Sequence, residues 1–100
     1  GLEREIRVEF DIDRVAAYNI PFSRIIEAVE RGNINLPGGS LDIGTGKYLL
    51  RVPGDFQSPL EIQNLVVFVR DGKPVYLRDV ARIIDGFKER TSYSRFNNKE

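Results

Sequence analysis

Gly44-Thr45-Gly46-Lys47 is the stretch that most invites a chemical reading, because glycines ahead of a lysine can cradle a phosphate. Its spacing does not fit. Leu41 stands five residues before Gly46 where a phosphate loop needs Gly, and Tyr48 follows Lys47 where it needs Ser or Thr. The stretch also leads into an extended segment, whereas phosphate is held by the free amides of a helix N-terminus. A glycine turn accounts for it. Asp11, Asp13, Asp42 and Asp55 are the next candidates, as oxygen ligands for a hard cation. Asp11 and Asp13 alternate with apolar residues, which puts them on the wet side of a strand, and no Gly or distal Glu stands at the offsets of a calcium loop. Arg78-Asp79 suggests a catalytic ion pair, but an Asp before a new segment ordinarily caps it. The chain has no Cys and no His, so thiolate nucleophiles, soft-metal sites and the usual neutral-pH base are all missing. No nucleophile–base–orienter set can be assembled. No catalytic residue, metal site or cofactor is expected.

Composition frames what these residues can belong to. One hundred residues allow one domain, and at this size roughly 65% of the unfolded chain's surface is buried on folding. Apolar residues at 41% and charged residues at 30% match ordinary folded domains rather than disordered ones. The longest apolar run, Leu65 to Val69, cannot span a bilayer. No basic–apolar–small pattern opens these residues, so no signal peptide is expected within them. Fifteen basic residues cancel fifteen acidic ones, which removes the footprint of non-specific nucleic-acid binding. The four scattered tyrosines lack the basic groove that a base-stacking platform needs.

The elements follow from periodicity. Glu5 to Asp13 alternates, with Ile6, Val8, Phe10 and Ile12 on one side, and predicts a half-buried strand. Asp13 to Tyr18 predicts a short helical turn capped by Asp13, ended by a left-handed Asn19. Phe22, Ile25, Ile26 and Val29 recur at helical spacing after Pro21, placed in the first turn, and Gly32-Asn33 closes that helix. Ser58-Pro59-Leu60-Glu61 combines a Ser cap, a first-turn Pro and a Glu three residues on, which marks a second helix over residues 59–64. Leu65 to Arg70 predicts a strand, Asp71-Gly72 its hairpin turn and Val75 to Leu77 the return. Arg82 to Phe87 and Thr91 to Phe96 read as extended. The polar ends, Gly1 to Glu5 and Asn97 to Glu100, look like cuts through linkers. The fold class is α+β: a small mixed, mostly antiparallel sheet with two short helices.

One segment does not explain itself by burial. Five glycines fall in residues 32–46, and Pro37-Gly38-Gly39 cannot hold a central strand. With Ile34 to Leu36 and Lys47 to Val52 as extended flanks, this predicts a protruding antiparallel hairpin arm, irregular at its distal part. Long irregular excursions from a compact domain are usually functional or disordered. Leu36 and Leu41 bracket the Pro-Gly-Gly turn with apolar side chains, so the candidate interaction surface is Leu36, Pro37, Gly38, Gly39, Ser40, Leu41, Asp42, Ile43, Gly44, Thr45 and Gly46.

Taken in order, these pieces resemble the docking subdomains of resistance–nodulation–division (RND) efflux transporters. The resemblance runs through Asp13 to Tyr18, Asn33 to Ser40, Tyr48 to Val52, Phe56 to Ile62 and Val75 to Ile83, to Asp85-Gly86 and Arg95 to Lys99. Asn19, Pro21, Gly38 and Asn98 depart from the residues that the family usually has there, each with similar turn or cap chemistry. The resemblance implies a single excised docking subdomain over residues 1–100, nearer the N-terminal of the family's two. It implies the periplasmic portion of a proton-driven, trimeric inner-membrane pump. Its partners would be neighbouring protomers of the homotrimer, the outer-membrane channel protein and the periplasmic adaptor protein, with no nucleic acid and no direct membrane contact. The arm would reach into the next protomer, and the pump's cargo (drugs, lipids or metal ions) stays open. The alternative from another class is a stand-alone α+β ligand- or nucleic-acid-binding module, since fold alone does not assign function.

Overall fold

A computed structural model describes residues 2–44, 46–55 and 57–89. Strand β1 (Leu2–Phe10) is followed by helices α1 (Ile12–Ala17) and α2 (Phe22–Arg31), then by the strands β2 (Leu41–Gly44) and β3 (Lys47–Pro53). Next come α3 (Pro59–Gln63), β4 (Val66–Arg70), β5 (Lys73–Tyr76), α4 (Leu77–Val80) and β6 (Ala81–Glu89). The α+β class and the largely antiparallel pairing stand. The expected strand over Thr91 to Phe96, the resemblance at Phe56 and at Arg95 to Lys99, and the reading of Gly1 and of Asn97 to Glu100 as linker lie outside the described residues.

Alternation decides the main sheet. Its order is β2-β3-β1-β6, and every described pair in it is antiparallel. Ile6, Val8 and Phe10 of β1 stand opposite Val52, Leu50 and Tyr48 of β3, so these six share one face. Helix α2 lays its apolar stripe, Ile25, Ala28 and Val29, into the same core. Ile6, Val8, Ile25, Val29, Leu50, Val52, Ile62, Leu77 and Val80 are all under 2% exposed. Full burial of such side chains is worth about 1.5–3 kcal/mol each, which makes this layer the main stabilising feature. The β4–β5 hairpin forms a separate two-stranded sheet packed against α2. Across the β1–β6 pair, the Arg4 guanidinium donates to both carboxylate oxygens of Asp85 at 3.1 Å each. That hydrogen bonding, and then the Asp85 charge, raise the Arg4 pKa above the usual arginine range. While Asp85 is charged, a cation raised in this way contributes stability that is lost as the pH rises through its folded value, in strong alkali.

Several boundaries differ from the sequence reading. The strand stops at Phe10 rather than running to Asp13, because the Asp11 N–H donates to Val80 O at 2.8 Å and turns the chain off the sheet. Asp11, not Asp13, therefore caps α1, its carboxylate accepting from the Arg14 N–H at 3.2 Å. Ile12 moves to the helix and is 37% exposed. Pro21 occupies the cap position of α2 in extended geometry, just outside the first turn. Leu77, read as the end of the extended return, instead opens helix α4, where the Asp79 carboxylate accepts from the Tyr76 N–H at 2.9 Å. The caps at Ser58 and the left-handed Asn19 (φ 59°) are as expected.

Candidate protein-interaction surface

The segment after α2 is built in two parts that behave differently. Gly32 ends the helix and Asn33 takes a left-handed φ of 59°, after which residues 34–37 run without strand pairing. Ile34 and Leu36 are half-buried and pack against the core. Pro37 to Ser40 then form a turn in which the Ser40 N–H donates to Pro37 O at 3.1 Å, and the Ser40 hydroxyl donates to the same oxygen. Gly39 has φ +82°, the left-handed value that a β-turn of this kind demands at its third residue. Gly38 is under no such demand, since a Cβ there would meet nothing within 4 Å. Ser40 is buried, and its carbonyl accepts from the Arg51 N–H at 2.8 Å, pinning the turn to β3.

Beyond Ser40 the chain becomes regular, which corrects the expectation of an irregular distal part. Leu41, Asp42, Ile43 and Gly44 pair with Leu50, Leu49, Tyr48 and Lys47. Gly46 sits at φ +76° in the connection, and Thr45 lies outside the described residues. The irregular part is the proximal one, and Ile34 to Leu36 is not a strand. Every residue of β2 is exposed, with Leu41 at 37% and Ile43 at 58%. Both lie on the face shared with Leu50 and Tyr48, so an apolar strip continues outward from the core along the hairpin. Among the described strands, β2 stands at the edge of the main sheet.

The distal end of the hairpin lies against the body, since Tyr48, opposite Ile43, also pairs with Phe10 of β1. Phe22 of α2 packs edge-on against Phe10 of β1 at 4.8 Å and against Tyr48 of β3 at 4.9 Å, between ring centroids. Such pairs add about 0.5–1.5 kcal/mol beyond their burial. Next to them lies an open cleft of about 480 Å³ lined by Glu9, Phe10, Asp42, Gly44, Lys47, Tyr48 and Leu49.

Of the residues singled out from the sequence, Leu41, Asp42, Ile43, Gly44 and Gly46 come together on the projecting hairpin. Pro37, Gly38 and Gly39 form an exposed turn at its root, and Ser40 is interior. Leu36 is half-buried and packs against the core, while Leu41 and Ile43 are exposed. The signal was in the sequence, as Leu41-x-Ile43 mirrors Tyr48-x-Leu50 across a glycine turn. The other candidate groups are apart. Asp11 caps α1 and stands 3.5 Å from Arg14, Asp42 is on β2, and no three of the described His, Cys, Asp or Glu residues converge to hold a metal ion. Arg78 lies over the Tyr76 ring at 4.2 Å and donates to Asn64 Oδ1, while Asp79 is used as a cap.

The chain belongs to the RND efflux transporters: the model of the AcrB/AcrD/AcrF family matches it over residues 1–100. Among curated proteins it is similar to Protein HelA of Legionella pneumophila, 33% identical over 100 residues that make up all of this chain and 10% of that protein. It is also 28% identical over 100 residues to the cobalt-zinc-cadmium resistance protein CzcA of Cupriavidus metallidurans, covering 9% of it. The cation efflux system protein CusA of Escherichia coli K12 is 30% identical over 98 residues, 97% of this chain and 9% of CusA. The chain thus spans about a tenth of the length of these relatives. No described helix is long and apolar enough to cross a membrane.

Proposed function

We propose that residues 1–100 form a docking subdomain on the periplasmic side of an RND efflux transporter, acting in assembly rather than in catalysis. The observation that carries this reading is the β2–β3 hairpin. It presents Leu41 and Ile43 to the outside on an edge strand, while Tyr48 on the facing strand packs against Phe22. Its partner in this reading is the neighbouring protomer of a homotrimer, and the outer-membrane channel and periplasmic adaptor meet the same subdomain elsewhere. Membership of a transporter family favours this reading over a stand-alone ligand-binding module. The names of CzcA and CusA support a metal cation as cargo of the whole pump. This segment, which lacks Cys, His and Met, takes no part in binding a soft cation.

The test is made in the full-length transporter. Leu41→Ser with Ile43→Ser is expected to lower the fraction of chemically cross-linked trimer and the rate of efflux. A Leu60→Ser control, on α3 and more exposed than either, is expected to leave both unchanged. Trimer yield and efflux that match the wild type in the double variant would overturn the assignment of the hairpin.

A further inference from the structure

The main sheet has a second face, turned away from α2 and the buried layer, on which two arginines meet across neighbouring strands. In register, Arg7 of β1 stands directly opposite Arg51 of β3 on one side and Ile84 of β6 on the other. Glu9, Leu49 and Arg82 form the next row, and Glu5, Pro53 and Gly86 the row before. Like charges directly opposite are unfavourable unless each is compensated. Arg51 is compensated, its Nη1 donating to the buried carboxylate of Glu5 at 3.1 Å. The Arg7 side chain, by contrast, makes no hydrogen bond and no ion pair among the described residues, although Glu5 and Glu9 flank it on its own strand. Its Nη2 lies 3.6 Å from where a Cβ on Gly86 would stand. Arg7, Leu49 and Ile84 are each half-buried.

A half-buried guanidinium keeps up to five donors in a planar fork, which a carboxylate matches in geometry and charge. Leu49 and Ile84 beside it favour a partner that also brings apolar side chains. About nine-tenths of the length of the relatives lies outside these residues, so the same polypeptide has ample chain to supply one. We propose that this sheet face docks another segment of the same transporter polypeptide, through a carboxylate seated on Arg7 and apolar contacts to Leu49 and Ile84. The proposal rests on the chain being part of a longer transporter and is independent of what the hairpin does.

The experiment uses the full-length transporter in membranes with photoreactive p-benzoylphenylalanine in place of Arg7, followed by irradiation and peptide mapping. The expected result is an intramolecular cross-link to a segment with Asp or Glu within a few residues of the attachment point. In parallel, Arg7→Gln is expected to shift the unfolding midpoint of the purified transporter downward, with Arg7→Glu lower still and Arg7→Lys closer to wild type. If Arg7→Glu does not accumulate, Arg7→Gln and the cross-link still decide the matter. Cross-links only to lipid, to another protein or to a segment without acidic residues would overturn the proposal, as would a wild-type midpoint for Arg7→Gln. A trimer that survives loss of Leu41 and Ile43 leaves this test untouched, because its readouts concern contacts within one polypeptide.

Discussion

Ser58 shows how a single side chain can decide an element. Its hydroxyl accepts from the Glu61 N–H at 3.1 Å while the Glu61 carboxylate accepts from the Ser58 N–H at 3.0 Å, so two orphan donors of α3 are satisfied together. Ser58→Ala is expected to cost about 1 kcal/mol, read as a lower denaturant midpoint at unchanged slope. Arg51 has a different role, because it is the described partner of a Glu5 side chain that is only 10% exposed. Arg51→Ala leaves that carboxylate without its charged donor and is expected to destabilise by about 1–3 kcal/mol. Leu36 and Leu41 separate body from arm at the same scale. Leu36→Ser removes a core contact and is expected to lower the denaturant midpoint, whereas Leu41→Ser is expected to stay within about 0.5 kcal/mol of wild type. Equal effects of the two would contradict the division at Gly39.

Among the elements, the two hairpins are made by different means. In β4–β5, Asp71 and Gly72 both have positive φ, at 52° and 76°, and join Arg70 to its opposite number Lys73. This is the two-residue turn whose twist suits a right-handed ribbon, and Asp-Gly is a sequence that favours it. Gly72→Ala would place a Cβ at left-handed φ and is expected to cost about 1–2 kcal/mol by chemical denaturation. The β2–β3 hairpin instead owes its position to Ser40 and Arg51 at its root and to the aromatic contact of Tyr48 with Phe22. Hydrogen exchange gives the check. The Arg51 amide, bonded to Ser40 O, is expected to be protected, while the Gly38 and Gly39 amides exchange at the rates of exposed turns. Rapid exchange at Arg51 would mean that the hairpin is not pinned to the sheet.

At the scale of the whole molecule, the sheet serves two purposes with its two faces. One is sealed by α2 and carries the stability of the unit. The other is open and charged, as an antiparallel sheet can be. The edge hairpin extends the sealed face outward as an apolar strip, and Arg7 on the open face makes no side-chain ion pair among the described residues. The two proposals assign these features different partners: an apolar contact for Leu41 and Ile43, and a carboxylate for Arg7. Shortening the hairpin by removing residues 42–46 is therefore expected to reduce trimer formation in the full-length transporter while sparing the intramolecular cross-link at residue 7.

Much of the fold was legible because contacts within a few residues decide it. The alternation of Ile6, Val8 and Phe10, the helical spacing of Phe22, Ile25, Ile26 and Val29, the Ser58–Glu61 cap and the Asp71-Gly72 turn are each settled by local geometry. Family membership was legible too, since it rests on the order of such pieces. The end of β1 was not, because Asp11 leaves the sheet to bond Val80, far along the chain. Nor was the identity of the exposed leucine, for Leu36 and Leu41 flank the same turn with the same side chain. Which of them is covered depends on the side of the turn that lies over α2 and β3. The meaning of Arg7 was least legible of all. In sequence it is one charge in an alternating strand, and only the register shows it opposite Arg51, which takes the Glu5 carboxylate.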